Sequence, residues 1–116
     1  KPTVTNLTIV GNGSGTGNEA IRLRAGTQGV FSNVLLEGFE EGFDLDGDTG
    51  AMSSNPTGTG VLNGDLSVTN VTFTDVTLQV KNDTGETFAD SDFLSGVGNA
   101  TGTDFATWGA NWTVGN

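Results

Sequence analysis

The chain has 116 residues, enough for one domain, and its 34% hydrophobic content is thin for a compact globule of that length. Fourteen acidic residues against four basic ones give a net charge of −10, which excludes the phosphate-neutralising footprint that nucleic acid or an anionic membrane requires. Cys and His are both absent, so disulfides, thiolate chemistry, the commonest general acid–base group and the usual zinc, copper or iron ligands fall away, leaving oxygen chemistry suited to calcium or magnesium.

From the N-terminus, TNLTIVG (5–11) alternates apolar and polar residues and is rich in β-branched side chains. Period 2 predicts a strand, with Leu7 and Ile9 inward and Thr8 and Val10 outward. EAIRLRAGT (19–27) predicts a second, with Ile21 and Leu23 in and Arg22 and Arg24 out. SNVLLEG (32–38) turns Val34 and Leu36 inward, and EGFDLDGDT (41–49) turns Phe43 and Leu45 inward with Asp44 and Asp46 out. The Gly/Ser/Thr/Asn-rich span 47–65 reads as a loop excursion. TNVTFTD (69–75) resumes the alternation with Val71 and Phe73 inward. No window carries a helical apolar stripe, and the 19 glycines oppose one. No apolar run approaches the ~20 residues of a membrane span.

These segments repeat. Asn6, Asn33 and Asn70 each precede an alternating apolar pair, at steps of 33 − 6 = 27 and 70 − 33 = 37. EAIRLRAGT and EGFDLDGDT match at 41 − 19 = 22. Strand, glycine-rich turn and strand, repeated, is the pattern of a parallel β-solenoid with rungs ~4.8 Å apart. Residues 1–81 are the expected coils, and 82–116 are the expected C-terminal coil and cap, holding Phe88, Phe93, Phe105, Trp108 and Trp112. The aromatic cluster reads first as cap core and second, at Trp108 and Trp112, as a carbohydrate-stacking platform.

The DLDGDTG stretch (44–50) sets Asp44, Asp46 and Asp48 at positions 1, 3 and 5 of a calcium-loop pattern. Position 6 is Thr49 rather than Gly, position 12 is Asn55 before Pro56, and the flanks are strand-like, so a helix–loop–helix site is excluded. The repeat offers another role. Stacking 19–27 on 41–49 sets Arg22 beside Asp44 and Arg24 beside Asp46 as a ladder of opposite charges. Asp48 lies beyond the paired strand, so Asp46 and Asp48 remain the calcium candidates, with no other cofactor expected. Asn6, Asn33 and Asn70 are expected to stack as an amide ladder.

Residues 1–48, with TDFATWGANWT (103–113), resemble the C-terminal coils of a family of exported, surface or lipoprotein-like bacterial proteins. The resemblance implies a right-handed parallel β-helix and export, hence an extracellular or cell-surface location; with the repeats, about three coils plus a C-terminal cap are expected here. It also implies further coils before Lys1. It implies no reaction. Glycosidases need two carboxylates flanking a cleft, and both Arg residues that could assist a lyase have a structural partner, so no enzyme is expected. The expected role is a rigid scaffold or self-associating, adhesive surface element. Its open N-terminal end would meet preceding coils or a second copy. A carbohydrate-binding or carbohydrate-processing module, with a glycan as partner, is the alternative.

Overall fold

The computed structural model describes residues 2–47 and 57–102. Five strands, β1 (Thr3–Val10), β2 (Glu19–Leu23), β3 (Gly29–Asp46), β4 (Leu66–Asp83) and β5 (Leu94–Val97), form one sheet with every pairing parallel. β1 and β2 both pair with β3, on the same side, so together they make the first rung. β3 is the second rung, β4 the third, and β5 begins a fourth. The 27- and 22-residue repeats are therefore one step: Leu7 lies against Val34 and Ile21 against Phe43. They differ because β3 passes from Glu37 to Glu41 directly, whereas the first rung inserts a 3-10 turn at Ser14–Thr16 between Val10 and Glu19.

Left-handed residues bend each rung at the same place. Asn6, Asn33 and Asn70 have φ of 57°, 58° and 59°, and the register stacks them. The fourth member of the column is Gly96, φ 62°. Outside Gly, Asn is among the few residues that enter this conformation readily, because its short amide hydrogen-bonds locally. A second bend pairs Gly38 (φ 82°) with Asp75 (φ 51°). The bends bring distant parts of one rung together. Phe31 and Phe43 both belong to β3 and are 43 − 31 = 12 residues apart, yet their ring centroids are 6.3 Å apart. A straight strand would separate them by ~40 Å.

The core fills the space inside the bends. Val34, Leu36, Phe43, Leu45, Leu66, Val68 and Val71 are fully buried, with Leu23, Val80, Phe93 and Leu94 nearly so. Phe43 sits at its centre, edge-on to Phe31, Phe73 and Phe93. The inward pattern of the alternating strands is the pattern of this core. Phe39, buried on β3 just past Gly38, lies outside the alternation read from SNVLLEG.

Two connections carry short helices. Within the span 47–65, Thr57–Leu62 forms helix α1, with Thr57, Gly58, Gly60 and Val61 buried. The Thr57 hydroxyl accepts a hydrogen bond from the Gly26 N–H at 3.2 Å, so α1 stacks on the turn that joins β2 to β3. A helical stripe was not legible here because Gly is a poor helix former and the helix is under two turns long. Gly58 is tolerated because it is needed: a Cβ there would meet the Thr84 hydroxyl at 2.6 Å and Glu86 at 2.7 Å. Helix α2 (Asp90–Phe93) then delivers Phe93 to the core.

After β5 the chain turns across the rungs. Gly98 N–H donates to the Val71 carbonyl at 2.7 Å, and Ala100 N–H donates to the Thr72 hydroxyl at 2.9 Å. The Asn33 side-chain oxygen accepts from Thr101 and Gly102 N–H at 2.9 and 3.2 Å. A Cβ on Gly102 would collide with the Thr8 hydroxyl of β1 and with Leu35 of β3. The segment Gly98–Gly102 thus passes over β4, β3 and β1 in turn.

Candidate functional site

Charged side chains converge on one patch, built by β2, β3 and β4. The register sets Glu19 against Glu41, Arg22 against Asp44, Asp44 against Lys81, and Asp46 against Asp83. Among the described residues, five carboxylates therefore share the patch with two cations. Directly opposed like charges repel, and the cations are deployed accordingly. Arg22 Nε donates to Asp46 Oδ2 at 2.6 Å and lies 4.0 Å from Asp44 Oδ2. Lys81 Nζ bridges Glu41 and Asp83, each at 3.5 Å.

Asp44 is the unusual member. It is only 6% exposed, and its Oδ1 has no hydrogen-bond partner among the described residues. Burial raises its pKa above the ordinary carboxylate value, and the charges of Asp46 and Glu41 push the same way against Lys81 and Arg22. The neighbouring carboxylates hold both cations in their charged form. Arg22 is pushed up mainly by Asp46, and Lys81 mainly by Glu41 and Asp83.

Two triads lie close enough to share one ion. In Glu19, Glu41 and Asp44, and again in Asp44, Asp46 and Asp83, one oxygen from each residue lies within 4.8 Å of the others. Hard oxygen donors of this kind suit a divalent cation.

The residues singled out from sequence fall as follows. Arg22 stands opposite Asp44 but bonds Asp46, the diagonal neighbour. Arg24 lies past the end of β2 and makes no ion pair among the described residues, since Asp46 is engaged by Arg22; its carbonyl accepts from Thr27 N–H at 3.2 Å. Asp44, read as outward, is on the charged side of the strand yet buried between its register neighbours Arg22 and Lys81. Asn33 Nδ2 donates to Asn6 Oδ1 at 2.8 Å, and Asn70 is next in the column. Asp48, Phe105, Trp108 and Trp112 lie outside the described residues. Sequence reasoning missed Lys81 and Asp83 as members of the patch. Their signal was the 37-residue step of the Asn column, which carries DLD (44–46) onto KND (81–83).

A sheet in which every pairing is parallel, bent at a shared Asn column beside an apolar core, fits a β-helix class of protein. The chain belongs to the pectate-lyase-like β-helix domain family, whose model matches residues 1–113. Comparison with curated proteins and with solved structures finds no match.

Proposed function

We propose that this chain is a non-catalytic structural segment of an exported bacterial β-helix protein, a rigid scaffold that self-associates at the cell surface. Its rungs wind as a right-handed solenoid of about three coils, with 82–116 as the last coil and cap. The observation that carries this reading is the uneven cover of the core. In the second rung Val34, Leu36 and Phe43 are fully buried, but their partners Leu7, Ile9 and Ile21 in the first rung are only partly so. Among the described residues no strand pairs with the outer edges of β1 and β2. A strand edge that no further strand joins, with apolar residues beside it, is a template for another strand. A further rung in parallel register, from a second copy or from preceding coils, is the occupant that fits.

Sedimentation over a wide concentration range tests it. The chain should associate reversibly, and Ile21→Lys should abolish this while preserving the far-UV spectrum. A Lys there lays its stem over the open core and keeps its ammonium in water. Wild-type chain that stays monomeric at every concentration would exclude self-association through this end.

The family description supports a second reading, a carbohydrate-binding or carbohydrate-processing module. Asp44 is too buried to meet a polymer directly, so contact with a glycan falls to Trp108 and Trp112. Titration with soluble acidic and neutral polysaccharides decides this. Saturable binding lost in Trp108→Ala or Trp112→Ala, with unchanged melting, favours the carbohydrate reading. A lowered melting temperature and no glycan binding favour cap core.

A further inference from the structure

We propose that Glu19, Glu41 and Asp44 bind a calcium ion that clamps the first rung to the second. Three independent observations converge on it. The first is distance. Calcium takes oxygen ligands at ~2.3–2.6 Å, so two of its ligands are at most about 5 Å apart. The three carboxylates meet that limit, with oxygens within 4.8 Å of one another.

The second is an unspent acceptor. Asp44 is more than nine-tenths buried, its Oδ2 faces Arg22 at 4.0 Å, and its Oδ1 has no hydrogen-bond partner among the described residues. A buried anionic oxygen left unpaired carries a desolvation cost that a cation would remove. The third is local charge. Glu19 and Glu41 are direct register partners on adjacent rungs, and Glu19 has no ion pair among the described residues. Lys81 reaches only Glu41 in this triad. The other triad is already spent, because Arg22 holds Asp46 at 2.6 Å and Lys81 holds Asp83 at 3.5 Å. All ligands are carboxylates, a set suited to calcium's flexible coordination, with water or carbonyl oxygens completing the shell. The ion would sit between β2 and β3, so its effect is on the joining of rungs.

Melting the purified chain in EDTA and in calcium chloride tests the proposal. With calcium at about a hundred times its dissociation constant, the wild-type midpoint should rise by roughly 10 °C. Glu19→Gln and Asp44→Asn should fold in EDTA and show no rise. Asp44→Asn should melt in EDTA at or above wild type, because it removes a buried charge from among its own kind. Asp83→Asn, in the other triad, should keep the full rise. A wild-type midpoint indifferent to calcium overturns the site, and so does a Glu19→Gln variant that retains the wild-type rise.

Discussion

Phe43→Ala should lose about 3–5 kcal/mol of folding stability, the range for deleting an enclosed aromatic ring. Phe43 is fully buried, and it is the one ring that touches all three of the others in its cluster. Phe31 belongs to an earlier part of the same strand, Phe73 to the next rung, and Phe93 to the helix before β5. Removing it leaves a cavity where three rungs meet, and the bent backbone cannot collapse into it without breaking register. Against a total of ~5–15 kcal/mol for an ordinary domain, the loss is a large share. Urea denaturation followed by circular dichroism reads it directly. A loss under about 1 kcal/mol would mean that the ring is not enclosed. Phe31→Leu, at a half-buried position, should cost distinctly less.

Asn33→Ala should cost about 2–4 kcal/mol, although the residue is not in the apolar core. Two effects add. Ala at φ 58° meets the left-handed backbone without a compensating side chain. The amide also makes four bonds that disappear together: Nδ2 donates to Asn6 Oδ1 and the Gly102 carbonyl, and Oδ1 accepts from Thr101 and Gly102 N–H. Asn33→Gly separates the effects, because Gly accepts the conformation but makes none of the bonds. It should recover about half of the loss. If the Gly variant is no more stable than the Ala variant, backbone conformation contributes nothing at this column.

Much of this architecture was legible from residue spacing. Period-2 alternation around Leu7, Val34, Phe43 and Val71 marked strands and core because β-structure converts sequence parity directly into inside and outside. The Asn repeats marked the register, since Asn6, Asn33 and Asn70 do occupy one column. Position-specific backbone conformation was less visible. Gly96 completes the column, yet nothing in LSGV distinguishes that Gly from the others in the chain. The short helix at Thr57–Leu62 was hidden because its stability comes from packing Thr57 and Val61 against neighbouring turns, not from helix propensity. In the charged patch, alignment placed Arg22 opposite Asp44 but could not foresee that a long guanidinium side chain reaches diagonally to Asp46. Burial of Asp44 was equally hidden, because it depends on a third rung whose contribution, Lys81, lies 37 residues on (81 − 44 = 37).

The segment Gly98–Gly102 changes how such a stack can come apart. In a plain solenoid each rung touches only its neighbours, and the terminal rung frays first at little cost to the rest. Here Ala100 and Thr101 bond to Thr72 and Asn33, and Gly102 lies close to Thr8, so a segment that follows β5 is fastened to strands made before it, β1 among them. A linear string of nearest-neighbour contacts becomes a closed loop. Opening β1 must also release the Gly98–Gly102 crossing, which couples β1, β3 and β4 into one cooperative unit. Such a closure also orders assembly: the contacts of Asn33 are completed only after the chain through Gly102 has emerged, so the rungs can stack early but lock late.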